Sequence, residues 1–325
     1  MKFLVTGGTG FIGARVVANL QARGIPVVVA DFPPDPDVMA HLEQERGGQG
    51  VAPSFVKLDI SNTQDVNALF VEHNFSHCVH LAYLMSAEVE ANQLRGAQVN
   101  IVGMANMFDA AARHKLHRLV FASSETVYGG SQSVYGDSDH AVQEDEYCGL
   151  QHQFYTYGVM KLLNEFVASK YVQKGAISIA CTRPPVVFGH GRKRGSVLWS
   201  EHLMSHPAVG KPVTVPFPAS TKDCWIYKDD AAEQFVRLAL KDKLAHLAYN
   251  TGGECLSGAE MAALVRHWIP DAQISFEEDK PPTKLIDNQD SRRIEAEIGL
   301  RFRPVIEGVR LHINEARAEA GLAAV

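Results

Sequence analysis

The sequence has few of the features that mark membrane, secreted or nucleic-acid-binding proteins. No stretch approaches the roughly 18 apolar residues of a membrane-spanning helix, and the first apolar run is too short for a signal peptide. The five cysteines are odd in number, scattered and without a CxxC pair, which disfavours disulfides or a zinc ribbon and favours a reducing compartment. Lys and Arg total 31 against 37 Asp and Glu, and this net charge of −6 argues against nucleic-acid binding. We therefore expect a cytoplasmic globular protein that binds neither membrane nor nucleic acid.

Length and hydrophobic patterning predict how the chain is organised. A chain of 325 residues indicates two domains, or one large domain with a lobe. Short apolar runs alternate with helical patterns over about the first 120 residues, which is typical of βαβ units in a parallel sheet. The predicted strands are Phe3–Val5, Val27–Ala30, Ser54–Leu58, Cys78–Ala82, Leu119–Ala122 and Ile177–Ala180, and two long helices are predicted at about 97–114 and about 153–173. Prolines interrupt this pattern after residue 188, which predicts a lobe of different architecture.

A glycine-rich segment, Thr6–Gly13, separates the first predicted strand from the first helix. Its glycines have the spacing GxxGxxG: Gly7 permits a tight turn, Gly10 lets a pyrophosphate approach the backbone, and Gly13 allows close helix–strand packing. The N-terminus of the helix then offers unpaired N–H groups to phosphate. An ordinary turn is the alternative interpretation of this loop.

Asp31 ends the second predicted strand, where an acidic residue accepts hydrogen bonds from the adenine-ribose hydroxyls of NAD and repels the extra phosphate of NADP. A strand-end cap is the alternative role for Asp31. Asp31 and the glycine loop together predict an α/β fold with a doubly wound parallel sheet (Rossmann) that binds NAD. This domain would span residues 1–189 and be rejoined by about 226–254, and residues 190–325 would mainly form a smaller mixed α/β substrate lobe.

Tyr157 and Lys161 are the strongest candidates for chemistry. Their i, i+4 spacing on the second long helix puts both side chains on one face. A phenol is a poor base at neutral pH, but a nearby ammonium favours the phenolate, which can take a proton from an alcohol. An ordinary helix pair is the competing interpretation, and the dinucleotide loop upstream favours the catalytic one.

Several motifs occur in the order seen in extended short-chain dehydrogenase/reductases, the NAD-dependent epimerase/dehydratase family, and the chain resembles this family from residue 1 to about 255. The motifs are Thr6–Gly13, Asp31, Asp59–Ile60, His80–Ala82, Ser123–Gly129, Tyr157 with Lys161, and Arg183–Gly189. The resemblance implies that Tyr157 is the acid/base, that Lys161 also holds the nicotinamide ribose, and that Ser124 hydrogen-bonds the reacting oxygen.

The same resemblance implies a wider set of binding residues. Asp59 would contact the adenine, Leu81 and Ala82 would line the cofactor cleft, and Asn100 would support the strand beside the cofactor. The full cofactor set is Gly7, Gly10, Phe11, Ile12, Gly13, Asp31, Asp59, Ile60, Leu81, Ala82, Asn100, Tyr157 and Lys161, and the expected substrate residues are Tyr83, Ser124, Glu125 and Arg192.

The chain departs from the family pattern at positions that hold the substrate. Nucleotide-sugar members usually carry Asn where this chain has Val186, and Arg, which contacts the diphosphate, where it has Asp223. A carboxylate at that position would repel a diphosphate, which points away from a nucleotide-sugar unless the alignment slips by one residue and brings in Lys222. Dehydratases carry a second acid where this chain has Thr126, so dehydration is disfavoured. Glu125 keeps the first acid, and either contacts a substrate hydroxyl or is a solvated carboxylate.

Other polar residues carry weaker signals. The basic loop Arg192–Arg194 could bind a carboxylate or phosphate on the substrate, and a solvated loop is the alternative. Tyr83 follows the fourth predicted strand and would line the mouth of the active site, with core packing as the rival. The spacing of His73, His77 and His80 suggests metal ligands, but residues 77 and 80 of a strand point to opposite faces, so we expect no metal.

These observations predict an NAD-dependent dehydrogenase that moves a hydride between nicotinamide and a secondary alcohol of a small polyhydroxylated substrate, such as a sugar, sugar acid or lactone. The alternatives are a sugar epimerase that retains its NAD, and an NAD-binding sensor without turnover. The resemblance further implies a homodimer formed through the two long helices.

Overall fold

The computed structural model describes residues 1–48, 50–146 and 149–325, and Cys148 lies outside the described residues. The strands are β1 Phe3–Thr6, β2 Val27–Asp31, β3 Ser54–Lys57, β4 His77–His80, β5 Arg118–Ala122, β6 Ser178–Arg183, β7 Val186–Phe188, β8 Val213–Val215, β9 Lys222–Tyr227, β10 Ala248–Asn250, β11 Glu254–Ser257 and β12 Ile274–Phe276. The helices are α1 Phe11–Ala22, α2 Pro36–Arg46, α3 Thr63–Glu72, α4 Ser86–Ala91, α5 Gln93–Ala97, α6 Met104–Arg113, α7 Thr156–Gln173, α8 Trp199–Ala208, α9 Lys228–Leu240, α10 Gly258–Trp268, α11 Arg292–Ile298 and α12 Val305–Glu319. Within the described ranges, no helix is long and apolar enough to cross a membrane.

A seven-stranded sheet in the order β10-β6-β5-β4-β1-β2-β3 forms the centre of the molecule. Each pair of neighbouring strands in it is parallel. The strand order reverses between β1 and β4, and ligands of such sheets bind in the crevice at the carboxyl ends of the strands beside this reversal. The predicted doubly wound parallel sheet is confirmed.

Residues of each strand alternate between two apolar layers, which explains why the strands read as continuous apolar runs. In β1, Leu4 packs into a layer with α3 and α6, whereas Phe3 and Val5 pack into a second layer with α1 and α9. Both layers are buried, so a polar residue in the middle of these strands would lie without water.

The first long helical segment begins earlier than predicted and is not uniformly α-helical. It runs from α5 through a π-helical turn at Gln98–Gly103 into α6. Asn92 starts it by accepting a 3.0 Å hydrogen bond from the backbone N–H of Arg95. π-helical turns occur frequently at functional sites, and this one contains Asn100.

The C-terminal part of the chain is shared between the central sheet and a lobe. α9 packs against α1, and β10 joins the edge of the central sheet beside β6. The lobe contains a three-stranded sheet in the order β11-β9-β7 and the pair β12-β8, packed with α8, α10 and α12 around a separate apolar core. β7 therefore pairs with the lobe strand β9, although it directly follows β6 in the chain.

A buried ion pair between Arg183 and Glu165 joins the end of β6 to α7. The Arg183 guanidinium donates two hydrogen bonds to the Glu165 carboxylate, at 3.0 Å from Nε and 2.6 Å from Nη2. Their side chains are 0% and 6% exposed. Ser123 also donates to Glu165, and Arg183 donates to the hydroxyl of Tyr128 at 2.7 Å. Tyr128 in turn donates to Asn250 of β10 at 2.6 Å. This network ties α7 to three neighbouring strand ends.

Glu165→Ala should lower the free energy of unfolding by about 3–5 kcal/mol, because it leaves the buried Arg183 without its counter-charge. Urea denaturation of the variant and the wild type measures this difference. Glu307→Ala, an exposed change in the first turn of α12, is the control and should change stability by about 1 kcal/mol or less. Equal stability of the Glu165→Ala variant and the control would contradict the role given to the ion pair.

Candidate active site

The glycine loop forms a cradle at the carboxyl end of β1 that leaves no room for side chains. Gly7 has φ of +65°, and a Cβ there would lie 2.7 Å from the backbone nitrogen of Ala82. A Cβ on Gly13 would lie 2.0 Å from the carbonyl oxygen of Gly7. α1 begins after Gly10 without a side-chain cap, so its first N–H groups are available to an anion. These features fit the pyrophosphate of a dinucleotide, with Leu81 and Ala82 facing the loop.

Asp31 lies beside this cradle and is already held by hydrogen bonds. Its Oδ2 accepts from the backbone N–H of Thr9 at 3.0 Å and from the Thr9 hydroxyl at 2.6 Å, and its Oδ1 accepts from the N–H of Phe32 at 2.9 Å. The carboxylate therefore orders the glycine loop, and a carboxylate oxygen has lone pairs left for ribose hydroxyls. Asp31 can therefore hold the loop by these hydrogen bonds and still bind the ribose of NAD.

Asp59 and Ile60 follow β3. The Asp59 carboxylate accepts hydrogen bonds from Arg95 at 2.7 Å and from the Ser61 hydroxyl at 2.6 Å. Burial opposes its charge, but the hydrogen bonds from Ser61 and Arg95 lower the pKa of Asp59 below its ordinary value. The side chain of Ile60 is buried against Gly103 of the π-helical turn, so this side chain belongs to the apolar core.

Asn100, expected from the resemblance to support the strand beside the cofactor, holds the segment that follows β4. Its side-chain oxygen accepts from the N–H of Leu84 at 2.8 Å, and its amide donates to the Leu84 carbonyl at 3.0 Å. Asn164 of α7, which sequence reasoning missed, donates to the Asn100 carbonyl at 2.9 Å and to the Tyr83 hydroxyl at 3.1 Å. Asn164 was detectable, since it lies seven residues after Tyr157 on the same helix face.

Tyr157, Lys161 and Tyr83 pack together at the carboxyl end of β4 and β5. The Lys161 ammonium lies 3.3 Å from the centre of the Tyr83 ring and 5.3 Å from that of Tyr157, and the two rings meet edge to face at 5.4 Å. Lys161 also donates a 2.5 Å hydrogen bond to the carbonyl of Ala122. Burial lowers the pKa of Lys161 to about 7. Tyr83, which was expected at the mouth of the site, thus contacts both Tyr157 and Lys161.

Ser124 and Arg192 are the groups that act on the Tyr157 phenol. Burial raises the pKa of Tyr157 above its ordinary value, whereas a hydrogen bond with Ser124 and the positive charge of Arg192 lower it. The sequence predicted that Lys161 would favour the phenolate. In the structure the ammonium of Lys161 contacts the Ala122 carbonyl and the Tyr83 ring and lies 5.3 Å from the centre of the Tyr157 ring, and the charge of Arg192 also acts on the phenol.

The three cations of the basic loop separate into different environments. Lys193 pairs with Asp35 at 3.0 Å and Arg194 with Glu88 at 3.8 Å, both on the dinucleotide-binding side of the molecule. The Arg192 guanidinium turns inward, 4.4 Å over the Phe11 ring, and donates to the Val187 carbonyl at 2.7 Å. Its Nε is enclosed and has no hydrogen-bond partner. Of these three residues, Arg192 is the one placed to meet an anion beside Tyr157.

Two buried acids are candidates for the substrate side of the site, and one of them, Glu125, directly follows Ser124. Glu125 and Asp223 are 4% and 2% exposed. Burial, and secondarily the charge of Asp223, raises the pKa of Glu125 well above its ordinary value. Burial also raises the pKa of Asp223 to about 7, against a hydrogen bond from Thr283. The alternative interpretation of Glu125 as a solvated carboxylate is therefore wrong, because the residue is buried. Asp223 is buried as well.

The histidines with metal-like spacing have other roles. His77 stacks on Phe3 with ring centres 4.7 Å apart, and Nδ1 of His80 lies 2.5 Å from the Thr6 hydroxyl. A different group, His190, Glu201 and His312, brings its ligand atoms within 4.8 Å of one another in the lobe. There Glu201 lies 2.9 Å from His190 and accepts from the backbone N–H of Arg192 at 3.3 Å, so it braces the basic loop.

The fold and the site are those of an oxidoreductase. A glycine loop shaped to bind a dinucleotide lies at the carboxyl end of the central sheet, together with Tyr157, Lys161 and Ser124. Residues 3–252 match the model of the family described as the NAD dependent epimerase/dehydratase family. This match covers more than half of the chain, and the protein belongs to this family. Its cofactor is NAD, which the geometry of the glycine cradle and Asp31 fits.

Relatives with assigned functions fall into two groups. The bifunctional UDP-glucose 4-epimerase and UDP-xylose 4-epimerase 1 of Pisum sativum is 35% identical over 148 residues, which is 44% of this chain and only 42% of that enzyme. The mitochondrial L-threonine 3-dehydrogenase of Sus scrofa is 23% identical over 291 residues, covering 88% of this chain and 74% of that enzyme. The chain thus spans less than half the length of the pea relative it matches, and the two groups catalyse different reactions.

Solved structures show the same fold. The UDP-glucose 4-epimerase from Bifidobacterium longum, in complex with NAD+ and UDP, has a TM-score of 0.83 at 20% identity and covers 99% of both chains. The L-threonine dehydrogenase from Cupriavidus necator has a TM-score of 0.81 at 19% identity, covering 98% of this chain and 100% of that one. At these identities, the comparison establishes the architecture and leaves the substrate open.

Asp31→Ala should weaken NAD binding about tenfold or more and reduce the preference for NAD over NADP, because the ribose hydroxyls lose their acceptor and the extra phosphate of NADP loses its repulsion. Dissociation constants for both cofactors measure the effect. Asp37→Ala, an exposed change on α2, is the matched control and should leave both constants unchanged. An unchanged cofactor preference in the Asp31→Ala variant would contradict the assignment.

Proposed function

We propose that the protein is an NAD-dependent dehydrogenase that oxidises a secondary alcohol of a small polyhydroxylated substrate, such as a sugar, sugar acid or lactone, or reduces the corresponding ketone. The observation that carries the proposal is the buried acid Asp223 at the position where nucleotide-sugar members of the family carry the diphosphate-binding Arg. The Tyr157, Lys161 and Ser124 group supports hydride chemistry, and Asp223 limits which substrates reach it.

The proposed chemistry assigns one task to each polar group. Tyr157 takes the hydroxyl proton as the carbon loses its hydride, and Ser124 holds the reacting oxygen. Bound NAD supplies the acceptor for that hydride at its nicotinamide ring. Arg192 favours the phenolate of Tyr157 by its charge. Lys161 positions Tyr83 and the Ala122 carbonyl, and binds the nicotinamide ribose.

The pocket disfavours a nucleotide diphosphate for electrostatic and steric reasons. A carboxylate facing a diphosphate at short range in a buried site repels it by several kcal/mol. Val186 occupies the position of the family's substrate-binding Asn, and its side chain is packed in the core of the lobe, 1% exposed. The site therefore lacks both an amide and a cation that family members use at these two positions.

Arg192 is the proposed contact for an anionic group. Its side chain is half-buried with an enclosed Nε, and burial lowers the pKa of Arg192 to about 10 although Glu201 and Tyr157 partly compensate. A buried guanidinium with an unpaired Nε is stabilised by an anion. The carboxylate of a sugar acid would supply this anion. Within the proposed substrate class, Arg192 therefore favours sugar acids.

An NAD-retaining sugar epimerase is the second candidate, favoured by the 35% identity to the pea epimerase over 148 residues. It would use the same Tyr157 and Lys161 but return the hydride to the opposite face of the substrate, without releasing NADH. An NAD-binding sensor without turnover would need neither residue.

The described cysteines, Cys78, Cys181, Cys224 and Cys255, are free thiols, which supports the proposed cytoplasmic location.

Purified protein incubated with NAD and a panel of polyols, sugar acids and lactones should release NADH, followed by absorbance. Tyr157→Phe should reduce kcat by at least about a hundredfold, because the proton acceptor is lost, while NAD affinity stays within about twofold. Tyr155→Phe, the same chemical change at the residue before α7, is the matched control and should keep its activity.

The possible outcomes separate the candidates. Formation of a product isomer without net NADH would favour the epimerase. Intact NAD binding without turnover of any compound would contradict both enzyme functions and favour the sensor. Turnover retained by Tyr157→Phe would contradict the proton transfer assigned to this residue.

We also propose a homodimer formed through the helices at 93–113 and 156–173. α7 presents an apolar face to solvent at Val159, Leu163 and Phe166, and the last two are 43% and 59% exposed. Val102, 47% exposed, lies on the neighbouring helical segment. A second copy of the chain covers both faces with one two-fold contact.

Light scattering should give a mass near twice the 35.6 kDa of one chain. Phe166→Glu should shift the protein to a monomer, because a charge would be buried in the apolar contact. Leu322→Glu, an exposed apolar residue near the C-terminus, is the control and should leave the mass unchanged. A wild-type monomer would contradict the proposal.

A further inference from the structure

Glu125 and Asp223 are a pair of buried acids without a basic partner. Among the described residues, neither carboxyl forms an ion pair with Lys, Arg or His. Asp223 Oδ1 accepts a 3.0 Å hydrogen bond from the Thr283 hydroxyl. Glu125 Oε2 is fully enclosed and has no hydrogen-bond partner. Since buried polar atoms are nearly always hydrogen-bonded, this oxygen marks a place where a partner is missing.

The two acids come from different parts of the molecule and meet beside the reacting group. Glu125 directly follows Ser124, whose hydroxyl hydrogen-bonds Tyr157. Asp223 is on β9 of the lobe. The backbone N–H of Glu125 donates a 3.1 Å hydrogen bond to the carbonyl of Pro184, which directly precedes β7, the strand that pairs with β9. A substrate whose hydroxyl meets Ser124 is therefore held at the residue next to Glu125.

Two buried acids whose charges act on each other do not both stay ionised, so the pair keeps a proton. Burial accounts for most of this effect, and it raises the pKa of Asp223 to about 7 and that of Glu125 well above its usual range. A protonated carboxyl group offers one donor and one acceptor. A sugar hydroxyl has the same two capacities, whereas a phosphate or carboxylate offers acceptors only.

We propose that Glu125 and Asp223 form a substrate subsite that binds a neutral hydroxyl group on the carbon next to the reacting alcohol and excludes anionic substituents there. This inference rests on the proposed dehydrogenase function and narrows its substrate to a vicinal diol. An anionic group of the substrate is then bound by Arg192 instead of by the acid pair.

The test compares three substitutions at the acid pair: Glu125→Gln, Asp223→Asn and Glu125→Met. The two amides keep a donor and an acceptor without a charge, whereas the methionine keeps the size and removes both. Glu307→Gln is the matched control on the exposed surface of the lobe. Unchanged NAD affinity verifies that each variant is folded.

The substrates are erythritol, sorbitol, D-gluconate and, as a small hydroxy amino acid, L-threonine, each assayed for KM and kcat by NADH release. For a polyol or gluconate that is turned over, Glu125→Gln and Asp223→Asn should raise KM by about threefold, and Glu125→Met by at least about tenfold. An analogue that lacks the hydroxyl on the carbon next to the oxidised one should lose this difference between the amide and methionine variants.

Other results would overturn the inference in distinguishable ways. Turnover of L-threonine alone, with Glu125→Gln as harmful as Glu125→Met, would show an ionised pair that binds an ammonium group. Turnover of a polyol with equal KM in all variants would show that the pair does not contact the substrate, while the proposed function would stand. No turnover of any of the four compounds or of the wider panel would contradict the proposed function itself.

Discussion

The ion pair between Arg183 and Glu165 holds the site together, because every catalytic element is attached to one of its partners. Glu165 is on α7, one helical turn beyond Lys161 and two beyond Tyr157. Arg183 ends β6 and reaches Tyr128 in the turn that follows Ser124. Removing either charge would leave the other buried without this counter-charge. The pair therefore fixes the position of α7 relative to the carboxyl edge of the sheet.

This fully paired network contrasts with the groups next to it, which are buried and only partly paired. Lys161 has a lowered pKa, Glu125 and Asp223 have raised ones, and Arg192 has an unpaired Nε. Such groups destabilise the fold unless a bound molecule completes them, and perturbed titration in a cleft is typical of functional sites. The ion pair between Arg183 and Glu165 helps to hold these groups in place before the substrate binds.

Much of the architecture could be predicted from the sequence, because its signals are local. The valine-rich strand before Asp31, the spacing of Gly7, Gly10 and Gly13, and the interval between Tyr157 and Lys161 each follow from a short stretch of chain. The family match and the parallel sheet confirm the predicted class, fold and cofactor. The individual site residues stay predictions, now with positions consistent with their proposed roles.

Contacts between distant segments could not be predicted in this way. Lys193 meets Asp35 across 158 positions of the chain, which leaves Arg192 as the inward cation of the basic loop. Lys161 contacts the carbonyl of Ala122 and the ring of Tyr83, because α7 lies close to β5 and to the segment after β4. The burial of Asp223 depends on β9 pairing with β7 and β11. Such facts follow from packing, which a single sequence does not display.

Deuterium transfer tests the central claim most directly. The wild-type protein would be incubated with NAD and the panel of polyols and sugar acids carrying deuterium on their carbinol carbons, and the released cofactor analysed by mass spectrometry. The account predicts reduced cofactor in solution that carries one deuterium from the substrate. Conversion of a substrate to its isomer, with no deuterium in the released cofactor, would contradict it.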